Sequence, residues 1–220
     1  MAAAEAGRAE CARLLAGAEA GMRDGQGRTA LMLAAENGHA GCLGVLAGED
    51  GAVDGEGKTA LMHAVAAGKE DCVGALAERE GGLTDKQGKT ALMAAARGGK
   101  AGCVGLLVQR EGGAADQDGR TALMAAGERG HADCVRMLVE KEAGMVDGSG
   151  RSALMIAAEN GMVECVKILL DKEKDMTDKN GHNARWHAIG ECKEMLAKVE
   201  QCACKDLFDA AHYGCEEHCK

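Results

Sequence analysis

Cysteine and histidine are the side chains here best suited to chemistry, with 11 Cys and 7 His in the chain. Seven of the cysteines form a ladder: Cys11, Cys42, Cys72, Cys103, Cys134, Cys165 and Cys192. A redox or metal role would need these thiols within bonding distance. Equivalent positions on stacked helices lie about 8–10 Å apart, whereas a disulfide needs Cα atoms within about 7 Å. The ladder is therefore read as a row of small buried hydrophobes. A second group, Cys202, Cys204, His212, Cys215, His218 and Cys219, puts six soft ligands within 18 residues. Zinc takes four such ligands in a tetrahedral array, but a C-x-C pair is tight and the rest would share one helix. No metal or cofactor is expected, and a small metal-binding protein using this tail is kept as an alternative reading. His63 and His187 have no Ser, Cys or carboxylate partner at a repeating offset, so catalysis is not expected. Gly81-Gly82 and Gly112-Gly113 have no Lys-Ser/Thr after them and read as turns, not phosphate loops.

The elements that must position these residues are repetitive. Gly-basic-Thr/Ser-Ala-Leu-Met begins at Gly27, Gly57, Gly88, Gly119 and Gly150, with steps of 30, 31, 31 and 31. A Cys follows 13 residues after each Thr or Ser. Asp-x-x-Gly before each unit is a turn signal. Thr or Ser ahead of Ala-Leu-Met is a helix N-cap. The Gly nine residues later (Gly38, Gly68, Gly99, Gly130, Gly161) fits a left-handed C-cap. A second helix with Cys, Val and Leu on one face comes next. One such pair cannot bury its own apolar face, so neighbours must stack into a solenoid.

Gly119 through Leu138 resembles the ankyrin repeat, whose pattern has T-P-L-H-x-A-A-x-x-G-H, and the likeness extends over about residues 1–200. Met in place of the family's His, with Cys on the second helix, is similar to the Protein 21.1 class of ankyrin arrays in flagellate protists. The resemblance implies an all-α ankyrin-repeat solenoid with short β-turn or hairpin connections and a concave groove that binds proteins. His39 and His131 take the family's G-H position and are expected to bridge turns. Three departures stand out. Ala30, Ala60, Ala91, Ala122 and Ala153 replace the family's Pro. Met32, Met62, Met93, Met124 and Met155 replace its His, so thioether packing is expected in place of a polar bridge. The unit is also shorter than the family's, which implies stubbier tips.

In such a stack the groove is lined by the residue after Met on each first helix: Leu33, His63, Ala94, Ala125 and Ile156. The turn tips add Gln26, Glu56, Lys86, Gln87, Gln117, Asp118 and Ser149. Leu33 and Ile156 are expected to be exposed and to anchor the partner; the small residues between them imply a shallow groove. Arg28, Lys58, Lys89, Arg120, Arg151 and His182 form a basic row, read as solvation or as a stripe facing an acidic partner. Acids gather at the far end of the second helices, among them Glu49, Glu80, Glu111, Glu142 and Glu173.

Aromatics make up 1% of the chain and none precedes Trp186, so the interior is built from Ala, Leu, Met, Val and Cys. A net charge of −9 and the missing stacking platforms argue against nucleic acid. No apolar run suits a membrane span, and no small-molecule substrate is expected. Without a basic leader, the many thiols read as reduced and cytoplasmic. Residues 1–26 are a partial repeat, 27–180 hold five full ones, and 181–220 hold a degenerate repeat and a truncated fragment. Gly44, Gly74 and Gly105 on the second helices are expected to leave the N-terminal half weaker than the repeats from Gly119 to Asn180. Together these features point to a non-catalytic scaffold or adaptor that binds a protein in its groove. The alternative is a regulatory or targeting arm of a larger enzyme such as a kinase.

Overall fold

The computed structural model describes residues 1–17 and 21–209, with 200–209 described by their helical backbone. Among the described residues fourteen α-helices follow one another: α1 (Ala2–Glu5), α2 (Ala9–Ala16), α3 (Ala30–Asn37), α4 (Ala40–Leu43), α5 (Ala60–Ala67), α6 (Glu70–Glu80), α7 (Ala91–Arg97), α8 (Ala101–Glu111), α9 (Ala122–Arg129), α10 (Ala132–Glu142), α11 (Ala153–Glu159), α12 (Val163–Glu173), α13 (Ala184–His187) and α14 (Gly190–Asp209). Odd-numbered helices stack in one layer, α3 on α5 and so on to α11 on α13; even-numbered helices form the second. Among the described residues there is no strand, and the turns contribute one isolated bridge, Thr177 with Asn183.

The helix starts follow the sequence pattern. The side chains of Thr59, Thr90, Thr121 and Ser152 each accept from the backbone N–H of the Met three residues on, at 3.3–3.5 Å. At Thr29 the backbone N–H instead donates to Met32 Sδ at 3.4 Å. All five Met side chains are buried, in keeping with apolar packing at a position that is polar in the family pattern. Gly38, Gly68 and Gly130 close their helices in the left-handed conformation, which costs glycine no Cβ clash.

A carboxylate ladder holds the layers together. Glu49, Glu80, Glu111, Glu142 and Glu173 are all buried. The Leu31, Leu61, Leu92, Leu123 and Leu154 N–H groups donate to them at 2.7–2.8 Å, each the second N–H of a first-layer helix. Four of these glutamates also accept from the glycine after the preceding second helix: Gly51, Gly82, Gly113 and Gly144 donate at 3.0–3.1 Å. Each such Glu caps its own repeat and ties it to the one before. These acids at the far ends of the second helices are therefore buried caps and not solvated surface charge. A helix N-terminus carries free N–H groups and partial positive charge, and the carboxylate supplies the missing acceptor.

The second layer is uneven. α6, α8, α10 and α12 have 11 residues each, but α4 stops after 4 and is followed by a 3₁₀ turn, Ala47–Glu49. Gly41, Gly44 and Gly48 fall in this one stretch, which raises the entropy cost of a continuous helix. At the other end α13 has only 4 residues, and Cys192 follows Asn183 by 9 residues where the five full units have 13 between the matching positions. α14 continues without a break to Asp209, inside the segment read as a degenerate repeat and a truncated fragment. Of the tail cluster, the side chains of Cys202 and Cys204, and all of His212, Cys215, His218 and Cys219, lie outside the described residues.

Candidate protein-binding groove

Each turn begins with an Asp whose Oδ1 accepts two backbone N–H groups, two and four residues on. For Asp54 these are Glu56 (2.8 Å) and Lys58 (2.9 Å); Asp24, Asp85, Asp116, Asp147 and Asp178 repeat the arrangement. Neighbouring tips are joined by backbone hydrogen bonds: Gly55 N–H to Gln26 O, Lys86 to Glu56, Gln117 to Gln87, Gly148 to Asp118 and Lys179 to Ser149, at 2.7–3.3 Å. The tips thus form one hydrogen-bonded edge instead of separate loops.

Between this edge and the first-layer helices lies a groove of about 370 Å³ spanning three repeats. Its floor is made by Met62, His63, Met93, Ala94 and Ala125. Its wall carries Glu56, Gln87 and Asp118 together with Lys58, Lys89 and Arg120. Six residues expected in the groove converge here: Glu56, His63, Gln87, Ala94, Asp118 and Ala125. Gln117, Asp118 and Ser149 flank an adjoining shallow depression at the tips. Gln26 and Lys86 are exposed at the same edge.

The two expected anchors are corrected. Leu33 is 6% exposed and Ile156 2%, so neither presents an apolar surface to a partner. Helical side chains lean back over the preceding turn, and a large aliphatic group there gains more from covering the layer than from facing water. The following turn is also fixed, since the Asn37 and Asn160 side-chain amides donate to the Leu33 and Ile156 carbonyls at 2.8 Å. Ala94 is exposed and Ala125 half-buried, so the accessible floor is made of small side chains.

The basic row does not stand as a stripe of free positive charge. Arg28 pairs with Asp24 and Glu36, Lys58 with Glu56, Arg120 with Glu128, Arg151 with Asp147 and Glu159, and His182 lies 3.5 Å from Asp178. Lys89, at the middle of the groove, is the member with no ion pair among the described residues. Burial alone would raise the Asp147 and Asp54 carboxyls, but backbone N–H donors, with the Arg151 guanidinium beside Asp147 and the His63 ring beside Asp54, outweigh it and hold both below the usual range. The Arg28 and His182 backbone N–H groups do the same for Asp24 and Asp178.

The reading of His63 and His187 is also corrected. His63 Nε2 lies 2.9 Å from Asp54 Oδ2, and His187 Nε2 lies 3.1 Å from Asp178 Oδ2. Both partners precede the His by nine residues, so a repeating carboxylate offset exists. Each pair joins the turn to its own first helix. His39 and His131 bridge repeats, their Nε2 atoms 2.9 and 3.1 Å from the Glu5 and Arg97 carbonyls. In the ladder Cys42, Cys72, Cys103, Cys134, Cys165 and Cys192 are free and buried, and Cys11 is free and exposed. Burial pushes these six thiols up, Cys165 to about 11, away from the thiolate that redox or metal chemistry needs.

Stacked helix pairs with a hydrogen-bonded row of turn tips define an α-solenoid interaction module. A family model described as ankyrin repeats, three copies, matches residues 1–82, 77–147 and 141–206. The chain belongs to the ankyrin-repeat family. It is similar in structure to the ankyrin repeat domain of Bcl-3, described as a unique member of the IkappaB protein family. That likeness has a TM-score of 0.77 at 21% identity and covers 90% of this chain and 96% of that one. No curated protein matches the chain.

Proposed function

We propose that this chain is a non-catalytic scaffold or adaptor that binds a protein partner across the groove formed by Glu56, His63, Gln87, Ala94, Asp118 and Ala125. The groove itself carries the reading: a concavity of about 370 Å³, continuous over three repeats, with a floor of small and thioether side chains and a mixed-charge wall. A rigid surface of this kind suits a helix or a broad protein face, because little side-chain order is lost on binding. Lys89 has no ion pair among the described residues, so it is placed to meet an acidic group on the partner and would act mainly on association rate. The buried reduced thiols support a cytoplasmic setting. The Met and Cys substitutions, now seen as buried packing, support membership of the Protein 21.1 class.

The test compares Ala94→Arg in the groove with Gln109→Arg on the exposed face of α8, each used with the wild-type chain for affinity capture from the source cell. Captured protein that is lost with Ala94→Arg and kept with Gln109→Arg supports the reading. Loss with Gln109→Arg alone would move the site to the second layer.

A further inference from the structure

The repeat brings three positions together in every unit: the Asp that opens the turn, the residue four further on, and the residue nine further on. At Asp24 they continue with Arg28 and Leu33, at Asp54 with Lys58 and His63, at Asp85 with Lys89 and Ala94, at Asp116 with Arg120 and Ala125, and at Asp147 with Arg151 and Ile156. Only the last set, Asp178, His182 and His187, offers three metal-ligating side chains. Their candidate donor atoms all lie within 4.8 Å of one another. His187 Nε2 is 3.1 Å and His182 Nδ1 3.5 Å from Asp178 Oδ2. Ligands about 2.0–2.1 Å from a tetrahedral zinc ion stand about 3.3 Å apart, so both distances match donors around one ion.

Three further observations favour a ligand here. His182 Nδ1 is shielded from solvent and makes no hydrogen bond, an orphan donor or acceptor that a metal would satisfy. The His182 ring is held in place by Trp186, stacked at 3.7 Å between centroids and 3° between planes. Asp178 Oδ1 is already occupied by the Asn180 and His182 N–H groups, at 2.8 and 2.9 Å, which fixes the carboxylate and leaves Oδ2 facing the imidazoles. Such outer-shell fixing is what orients metal ligands. The set at Asp54 is an internal control: the same Asp–His contact is present, but Lys58 takes the place of His182 and pairs with Glu56.

We propose that Asp178, His182 and His187 bind one zinc-class divalent transition-metal ion, with a fourth position left to water or to a donor from a partner. The ion would pin the four-residue α13 to its turn, where metal-binding energy becomes folding energy. This reading is independent of the groove.

Trp186, the one Trp of the chain, is the reporter. The full-length chain is titrated with cobalt(II), a fluorescence quencher, and the cobalt is then displaced with zinc(II). Quenching that saturates at one equivalent and is reversed by zinc is expected. His187→Ala, and Asp178→Asn (which keeps the turn-forming oxygen), should each weaken binding more than tenfold with helical circular dichroism unchanged. His63→Ala should bind as wild type, and so should a variant with Cys202, Cys204, Cys215 and Cys219 all changed to Ser. An unquenched Trp186, or quenching that survives both His187→Ala and Asp178→Asn, would show a hydrogen-bonded cluster that takes no metal. Quenching abolished by the four serine changes would place the metal in the tail. Either result overturns the proposal.

Discussion

Glu111→Ala probes the carboxylate ladder at the centre of the stack. Glu111 is 3% exposed and accepts from Leu92 N–H at 2.7 Å and from Gly82 N–H at 3.1 Å. Leu92 is fully buried at the second position of α7, so its N–H would be left without water or partner. An orphaned donor of this kind, formerly bonded to a charged group, costs about 2–3 kcal/mol. The bond from Gly82 is only part-buried, so water can replace Glu111 there at a cost of about 1 kcal/mol. The sum is about 3–4 kcal/mol. Glu78→Ala is the control: Glu78 is 81% exposed and pairs with Arg110 on the surface, so it should cost less than about 1 kcal/mol. Urea unfolding followed by circular dichroism gives both values, and amide exchange should show Leu92 and Gly82 opening first. A Glu111→Ala cost below about 1 kcal/mol, with unchanged exchange at Leu92, would refute the idea that the ladder clamps the repeats.

Three other outcomes follow from the same structure. Changing Gly41, Gly44 and Gly48 to Ala, each in open space and none at positive φ, should extend α4 and raise stability by about 0.5–1 kcal/mol per site; no gain in helical signal or in urea midpoint would contradict this. Iodoacetamide under native conditions should label Cys11 and spare Cys42, Cys72, Cys103, Cys134, Cys165 and Cys192 until urea is added, as read by peptide mass mapping; early labelling of Cys165 would show an open stack. The carboxyls of Asp24, Asp54, Asp147 and Asp178 are held below their ordinary values, so the stability they contribute is complete above the unfolded value of about 3.9 and is lost as pH falls from there through the lowered folded values. Unfolding midpoints measured at successive pH values should decline below about pH 4, and midpoints that rise with acidification would refute the assignment.

The repeat, its helix caps and the thiol ladder were legible in the sequence because each is local and recurs in phase. Thr90 before Ala-Leu-Met announces a helix start, and Cys103 falls on an apolar helix face. Glu80, Glu111, Glu142 and Glu173 also recur every 31 residues, but an acid at a helix end also fits a solvated surface. Its true role depends on the neighbouring helix N-terminus, which only the stacked structure brings near. The same holds for the Asp54–His63 and Asp178–His187 pairs, where an offset of nine crosses from turn to helix and matches no single-helix periodicity. Leu33 and Ile156 were misplaced because the residue after Met was treated as one kind of site, whereas exposure there depends on side-chain size: Ala94 stays open and Ile156 folds over the layer. The basic row reads as free charge in sequence partly because three of its partners, Glu36, Glu128 and Glu159, lie eight residues further on, on the adjoining helix.

The groove assignment is tested most directly by amide exchange on the complex with the captured partner. Slower exchange is expected at residues 56–63, 87–94 and 118–125, with α6, α8 and α10 unchanged. Protection confined to the exposed faces of α6, α8 and α10, with the groove exchanging as in the free chain, would contradict it.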